Sequence, residues 1–182
     1  MKIKNIYALI ALSAVSPTYA ELTINGKEIG NDVIFTYDGS INTTGLSQVG
    51  SGMIDTEFEP VDDEFAAGGN SDIWEIPDLV IDGAMGTGGD VSGVAVGDVI
   101  GILTSINDLL WLPTGYSSGG EISGTITFSN HSFSTMGITE ENVVTYSWGT
   151  GPSAETITFS TVPEKETPQL MTARNLLLEE SP

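Results

Sequence analysis

Hydrophobic residues recur at every second position over much of the chain, which is the spacing of a β-strand with one buried face. The clearest case is the segment 122–129, where Ile122, Ile126 and Phe128 face one way and serine and threonine side chains face the other. The same spacing recurs at residues 33–37, and helical spacing is nearly absent. We therefore predict antiparallel strands that have one buried and one solvated face.

Turn residues divide these runs into units. Gly149-Thr150-Gly151-Pro152 separates the alternating residues 144–148 from 157–159, which predicts a β-hairpin. Residues 94–103 are more continuously apolar, a pattern typical of strands buried on both faces or of a central sandwich strand. The stretch 50–93 is rich in Gly and Asp, so we predict long loops with short strands there, where a ligand site is often found.

The composition predicts one domain that is held together by its core. The chain has 182 residues, 40% of them hydrophobic, with 22 glycines and no cysteine. The lack of cysteine excludes disulfides, thiolate metal sites and a cysteine nucleophile. A domain of roughly 140 residues buries about two-thirds of its unfolded surface, which suffices for a core without cross-links. We predict an all-β fold over residues 21–161, namely an antiparallel β-sandwich that is jelly-roll-like.

The first twenty residues have the pattern of a secretory signal peptide. Lys2 and Lys4 precede an apolar run at residues 6–15, and Thr18-Tyr19-Ala20 fits a cleavage site. The apolar run is shorter than the ~20 residues that span a bilayer. We therefore expect cleavage after Ala20, no stable membrane anchor, and a secreted protein in the medium or at the cell surface.

The charge of the chain is strongly negative. It has 25 acidic and 5 basic residues, which give a formal net charge of -20, and no Lys or Arg occurs between Lys27 and Lys165. Such a surface repels nucleic acid and anionic headgroups, because their phosphates are bound through Lys or Arg. We expect neither as a partner. The carboxylates then serve solubility or, alternatively, bind a divalent cation.

Two groups of acidic residues offer hard oxygen ligands for calcium. They are Asp62-Asp63-Glu64 and the series Asp72, Glu75, Asp78 and Asp82. Neither group has the alternating spacing of an EF-hand loop, and a solvated acidic rim is the alternative. We therefore assign no cofactor, and calcium is the one cofactor that the sequence leaves open.

No motif predicts catalysis. Gly115–Gly119 matches the Gly-x-Ser-x-Gly nucleophile elbow, but Pro113 precedes it and a predicted strand, not a helix, follows. The single histidine, His131, lies in a predicted turn. The glycine cluster 86–89 lacks the third glycine of a dinucleotide fingerprint. Two carboxylates could hydrolyse a glycosidic bond, but the sequence singles out no pair. We expect no enzyme.

Four aromatic side chains could stack on sugar rings if they were exposed. They are Trp74, Trp111, Tyr116 and Trp148. Burial in the core is the commoner state of such residues. An exposed planar set made of Trp74, Trp111 and Tyr116 would favour a carbohydrate-binding module.

Several short motifs resemble those of the secreted PEP-CTERM proteins of bacteria. They are Asn31–Phe35, Gly39–Leu46, Trp111–Tyr116, Ile122–Gly124, Gly137–Thr139 and Tyr146–Gly149, in the order and spacing of that family. Val162, Pro163 and Glu164 resemble the start of the family's C-terminal sorting motif, and Lys165 stands in place of its second proline. Residues 162–182 are thus interpreted as a degenerate sorting motif and a tail, with a short helix predicted from Pro168.

In that family an exosortase recognises and removes the C-terminal signal, and the products are linked to extracellular polysaccharide and biofilm. In this sequence neither a transmembrane helix nor a terminal Arg cluster follows Val162-Pro163-Glu164, which implies a freely secreted protein. Together with the signal peptide, the resemblance leads us to predict an exported structural or interaction protein of the bacterial cell surface or extracellular matrix, without catalytic activity. The alternatives are a carbohydrate-binding module, with or without calcium, and thirdly a hydrolase with an acidic site.

Overall fold

Two β-sheets pack face to face in the computed structural model, which describes residues 21–105 and 107–161. Each sheet has seven strands within these residues. The strands, in chain order, are β1 (Glu21–Ile29), β2 (Asp32–Ser40), β3 (Ser47–Ile54), β4 (Glu57–Glu59), β5 (Glu64–Ala67), β6 (Gly69–Glu75), β7 (Val80–Asp82), β8 (Val91–Ser92), β9 (Val94–Gly97), β10 (Ile100–Leu103), β11 (Leu109–Pro113), β12 (Glu121–Ser129), β13 (Val143–Trp148) and β14 (Glu155–Ser160).

The first sheet has the strand order β7-β13-β14-β1-β2-β12-β9, and the second has the order β3-β6-β11-β10-β5-β4-β8. Neighbouring strands are antiparallel apart from β1 and β14, which run parallel. A single turn of helix, α1 (Phe133–Met136), follows β12, and 3-10 turns lie at Pro60–Asp62 and Gly151–Ser153. The predicted all-β antiparallel sandwich is confirmed.

Aromatic rings from both sheets meet at the centre of the core. Phe35 of β2 stacks on Phe58 of β4 with ring centroids 5.1 Å apart, and Phe159 of β14 lies 5.5 Å from Phe58. These side chains are almost fully buried. Pairs at such distances contribute about 0.5–1.5 kcal/mol beyond the area that they bury. The rings therefore join the two sheets by direct contact.

The alternating runs predict the strands of the first sheet well. The predicted hairpin is confirmed, since β13 pairs with β14 and Tyr146 lies opposite Ile157 with both side chains buried. The inward orientation predicted for Ile122, Ile126 and Phe128 is also confirmed, because all three are fully buried.

Two predictions for the middle of the chain need correction. The burial predicted for residues 94–103 is found in β10, a central strand of the second sheet, but not in β9, which is an edge strand of the first sheet. Val94 and Val96 of β9 are 68% and 73% exposed. Gly97, at φ +117°, lies where the chain leaves one sheet for the other.

The stretch 50–93 also contains longer strands than we predict. β3 has eight residues and β6 has seven. β3 shows no hydrophobic alternation because it is an exposed edge strand, held to β6 by backbone pairing rather than by an apolar face.

The termini lie outside the described residues. These comprise the predicted signal peptide 1–20 with its cleavage residue Ala20, the sorting-motif residues Val162, Pro163 and Glu164, and the predicted tail helix. Within the described part of the chain, no helix has the length and hydropathy needed to cross a membrane.

Candidate functional site

The candidate sugar-binding aromatics do not form one surface. Trp74 lies opposite the buried Leu110 and packs against the core, whereas Trp111, the next residue along β11, points to the outer face of the second sheet. There the Trp111 ring lies against Gly52 and is half-buried. Trp148 is buried in the core. Neighbouring residues of a strand face opposite ways, so Trp74 and Trp111 cannot share a platform.

Tyr116 is a structural residue at one end of the sandwich. Its hydroxyl oxygen accepts a hydrogen bond from the backbone N–H of Ile41 at 2.9 Å, and it lies 2.6 Å from the carbonyl oxygen of Gly120. Burial raises the pKa of this phenol. The predicted planar set of Trp74, Trp111 and Tyr116 is therefore not assembled.

The acidic run 62–64 ties loops together. The Asp63 carboxylate accepts a hydrogen bond from the backbone N–H of Met85 at 2.6 Å. The Glu64 carboxylate is buried and accepts from the backbone N–H groups of residues 104 and 105, at 2.7 and 2.6 Å. Carboxylates engaged in this way hold the backbone and have fewer lone pairs left for a cation.

The second acidic series is spread over the fold. Asp72 and Glu75 point to opposite faces of β6, Asp78 lies in a turn, and Asp82 belongs to the first sheet. Asp72 accepts a hydrogen bond from Gly115 N at 2.8 Å. Among residues 21–105 and 107–161, no three His, Asp or Glu side chains are placed to share a metal ion.

Among the residues that the structure describes, three carboxyl groups have a raised pKa. Burial is the main cause for Glu57 and Glu59, and neighbouring carboxylates, among them Asp90, raise the pKa of both further. Glu155 is almost fully buried, and burial raises its pKa although hydrogen bonds with Asn42 oppose the rise. None of the three lines the cavity described below.

The Gly-x-Ser-x-Gly match and the histidine lie at opposite ends of β12. Ser117 precedes the nine-residue strand and His131 follows it, which places them roughly 25 Å apart along the strand. A serine nucleophile needs its histidine within hydrogen-bond distance. His131 is therefore too far from Ser117 to act as its general base.

An open cavity of about 380 Å³ lies beside His131. Three of its other side chains, those of Glu28, Ser132 and Thr135, are engaged in local structure. Glu28 accepts a hydrogen bond from Phe133 N at 2.5 Å, and the hydroxyl of Ser132 accepts one from Thr135 N at 3.1 Å as the N-cap of α1. The Nδ1 atom of His131 has no hydrogen-bond partner among the described residues.

The glycine cluster 86–89 allows close backbone contact. Thr87 N donates to Gly137 O at 2.8 Å, and a Cβ on Gly88 would overlap the carbonyl oxygen of Met136. Glycine is the residue that permits such an approach. The cluster is thus a packing feature beside α1.

The most extensive polar feature is the outer face of the first sheet, which we call the hydroxyl face. Short serine, threonine and asparagine side chains occupy it across five of the strands. They are Thr23, Asn25, Thr36, Ser123, Thr125, Thr127, Thr145, Ser147, Thr156, Thr158 and Ser160.

Strand register aligns these side chains into rows that cross the strands. One row consists of Thr145, Thr158, Thr23, Asp38 and Ser123, each directly opposite the next. A second row consists of Ser160, Asn25, Thr36 and Thr125. Neighbouring members of a row are about 4.8 Å apart, and successive rows are about 6.8 Å apart along the strands.

Most of these hydroxyls are available for further hydrogen bonds. In the described part of the chain, the hydroxyls of Thr125, Thr127, Thr145, Thr156 and Thr158 take part in no side-chain hydrogen bond. Each can donate one bond and accept two. These five residues are half-buried.

Charged and aliphatic side chains also belong to the hydroxyl face. Its charged members are Glu21, Lys27, Asp32, Asp38, Asp82 and Glu121, and its aliphatic members are Ile29, Ile34, Val80, Val94, Val96 and Val143. No aromatic side chain of the described residues belongs to it. Threonine is favoured in any strand because it is β-branched. The unusual property is that one short hydroxyl residue follows another across the sheet.

Sequence reasoning identifies only one strand of this face, the solvated side of β12. A usable signal is the pentapeptide Thr-Ile-Thr-Phe-Ser, which occurs twice, at residues 125–129 and 156–160. The two copies lie in β12 and β14 and point the same residue types outward. The intervening pairing of β14 with β1 has no local sequence signal.

No protein-family model, no curated protein and no solved structure matches this chain.

Proposed function

We propose that this protein is an exported, non-catalytic interaction protein of the bacterial cell surface or extracellular matrix, and that its hydroxyl face binds neutral polysaccharide chains. The observation that carries the proposal is the array of aligned, open hydroxyls across five strands of the first sheet. Sugar hydroxyls both donate and accept hydrogen bonds, and so do those of threonine and serine.

The strength of single contacts favours a polymer over a short oligosaccharide. A hydrogen bond that replaces one with water contributes only about 0.5–1.5 kcal/mol. The hydroxyl face has neither a pocket nor an aromatic platform to add to this. Useful affinity therefore needs many contacts along one chain, which an extended polysaccharide supplies.

The shape of the sheet favours a single flexible chain. A sugar unit in an extended glucan has a length close to the strand spacing of about 4.8 Å. Adjacent strands are rotated by about 20–25°, so a row of hydroxyls turns as it crosses the sheet. A flexible chain can follow this turn, whereas a planar crystalline surface would meet only a few strands.

Charge favours a neutral polymer. The formal net charge of -20 repels polyanions, and no Lys or Arg between Lys27 and Lys165 is available to bind their acidic groups. A neutral chain avoids this electrostatic repulsion because it brings no charge to the surface.

Export and matrix association are part of the same proposal. The predicted signal peptide, with cleavage after Ala20, supports export. The resemblance to PEP-CTERM proteins, including Val162, Pro163 and Glu164, supports an association with extracellular polysaccharide. A non-catalytic role is supported by the separation of Ser117 from His131 and by the structural hydrogen bonds of the buried carboxylates.

The proposal is tested by co-sedimentation of the purified protein with amorphous cellulose, a neutral insoluble glucan whose chains are not packed into crystalline sheets. The test variant carries Thr125→Val, Thr145→Val and Thr158→Val, which remove three hydroxyls but keep the β-branched shape. We expect its affinity to fall by about tenfold or more. Soluble alginate, a polyanion, should compete poorly with the glucan.

The matched control carries Thr87→Val, Thr114→Val and Thr150→Val, three exposed threonines outside the first sheet. It should bind like the wild type. The proposal fails if the wild type does not sediment with the glucan, or if the two triple variants bind equally.

A further inference from the structure

The two sheets end in four edge strands, and three of them are short. β7, β9 and β8 have three, four and two residues. An acidic residue ends or flanks each of them, namely Asp82, Asp98 and Asp90. Short length and charge are the usual means by which an edge strand is kept from pairing with another chain.

β3 is different, because it has eight residues and seven of them are exposed. It contains no charged residue and no proline, and Val49 and Met53 are 54% and 74% exposed. Its protective features are Asp55, which directly follows its last residue, and a bulge between Gln48 and Gly50, beyond which the pairing with β6 is regular up to Ile54. Half of the backbone N–H and C=O groups of such an edge strand face outward.

The charge distribution indicates what can pair with this edge. In a chain with 25 acidic residues, the stretch from Gly39 to Ile54 has no charged side chain. A basic partner strand would find no carboxylate there to pair with. A second copy of this chain, with its net charge of -20, can approach closely only through an uncharged surface such as this one.

We propose that β3 pairs antiparallel with β3 of a second copy, so that the second sheets of the two copies join into one continuous sheet. The two-fold symmetry of such a dimer makes the interface isologous. A register centred on Ser51 brings Val49 of each copy opposite Met53 of the other. It leaves Asp55 of each copy opposite Ser47, so no two carboxylates face each other.

The first test is the solution mass, measured by light scattering over a range of protein concentrations. We expect a monomer–dimer equilibrium that Met53→Lys shifts toward monomer by about tenfold or more, because a lysine on an edge strand opposes pairing. The control is Val96→Lys on β9, an equally exposed valine on a different edge, which should leave the equilibrium unchanged.

The dimer should also respond to salt in a defined direction. Both copies are strongly anionic, so screening on going from about 0.05 M to about 0.5 M NaCl should increase the dimer fraction. A wild type that stays monomeric at every concentration and salt level overturns the proposal. So does a Val96→Lys variant that weakens the dimer as much as Met53→Lys.

A second test uses the absence of cysteine. Residues opposite one another in an antiparallel pair have Cα atoms about 4.5–5.5 Å apart, which lies within the range of a disulfide. Ser51→Cys, close to the two-fold axis, should therefore form a disulfide-linked dimer on mild oxidation. Equal cross-linking of a Val96→Cys variant would show random collision and contradict the proposed pairing.

Discussion

Two glycines on the inner face of the first sheet make room for large aromatic rings that lie over them from the neighbouring strand. Gly26 is paired with Phe35, and a Cβ at Gly26 would lie 2.2 Å from the ring. Gly124 is paired with Tyr37, and a Cβ there would lie 2.1 Å from the phenol oxygen. That phenol donates a 2.5 Å hydrogen bond to Asp98 O, and burial raises the pKa of Tyr37 to about 12.

We predict that Gly124→Ala lowers the free energy of unfolding by about 1–3 kcal/mol, because the new methyl group overpacks the site beneath Tyr37. Urea denaturation measures the loss. Gly89→Ala is the control, since nothing lies within 4 Å of a Cβ at that position, and it should change stability by less than about 0.5 kcal/mol. Equal losses for the two variants would contradict this account of the core.

Glu155 makes the stability of the folded protein depend on pH, and the burial of its carboxyl group sets the direction of this dependence. Burial raises its pKa above the ordinary 4.5, and the hydrogen bond from Asn42 N at 3.1 Å does not reverse the shift. The folded protein thus binds the proton more tightly than the unfolded chain. The contribution of Glu155 to stability is fully present at pH values below its ordinary pKa. It is lost as the pH rises through the raised pKa of the folded protein.

We therefore predict that Glu155→Gln raises the melting temperature at about pH 7 and leaves it unchanged at about pH 3.5, where the carboxyl is protonated in both states. Thermal unfolding at the two pH values measures the effect. Glu121→Gln, at an exposed carboxylate, is the control and should change neither value. A lower melting temperature for Glu155→Gln at about pH 7 would show that the charged form is the stabilising one.

At the scale of elements, the sequence predicts strands whose inner face is apolar. β12 and the β13–β14 hairpin alternate cleanly because one face meets the core, and both are predicted correctly. β3 is missed because its pairing depends on backbone groups that no side-chain pattern reports. β9 and β10 share one apolar run, and only the three-dimensional structure shows that they belong to different sheets.

The same limit applies to the candidate site. The solvated side of β12 is readable from sequence, but the hydroxyl face needs the register of β14 against β1 and of β2 against β12. These pairings join segments that lie far apart in the chain. Local propensity carries no information about them, so the rows of threonines emerge only from the fold.

Amide hydrogen exchange tests the β3 edge directly. At low protein concentration, we predict that the amides of β3 that face away from β6 exchange fast, while those of the central strand β2 are protected. At high concentration the β3 amides should become protected as the dimer forms. Protection of β3 that does not depend on concentration would argue against pairing between copies, and β7 serves as an internal control edge.

At the scale of the whole molecule, the proposed dimer would affect binding. A two-fold axis that relates antiparallel edge strands is normal to the joined sheet, so both hydroxyl faces point to the same side. A long polysaccharide could then contact both copies at once. Such bivalence raises the apparent affinity without any new contact. This consequence depends on the proposed function as well as on the dimer.

We predict that Met53→Lys weakens co-sedimentation with cellulose by about tenfold or more through the loss of bivalence. The Thr125, Thr145 and Thr158 triple valine variant should weaken binding while the dimer stays intact. Measuring mass and glucan binding on both variants separates the two claims. A Met53→Lys monomer that binds as tightly as the wild type would refute bivalence while leaving the face itself untouched.

The most direct test of the central claim is the location of the glucan on the protein. Methyl NMR of threonine-labelled protein, with and without a soluble neutral glucan, reports this residue by residue. We predict shifts at Thr125, Thr145 and Thr158, and none at the exposed loop residue Thr114. Shifts confined to Thr114 and other residues outside the first sheet would contradict the account.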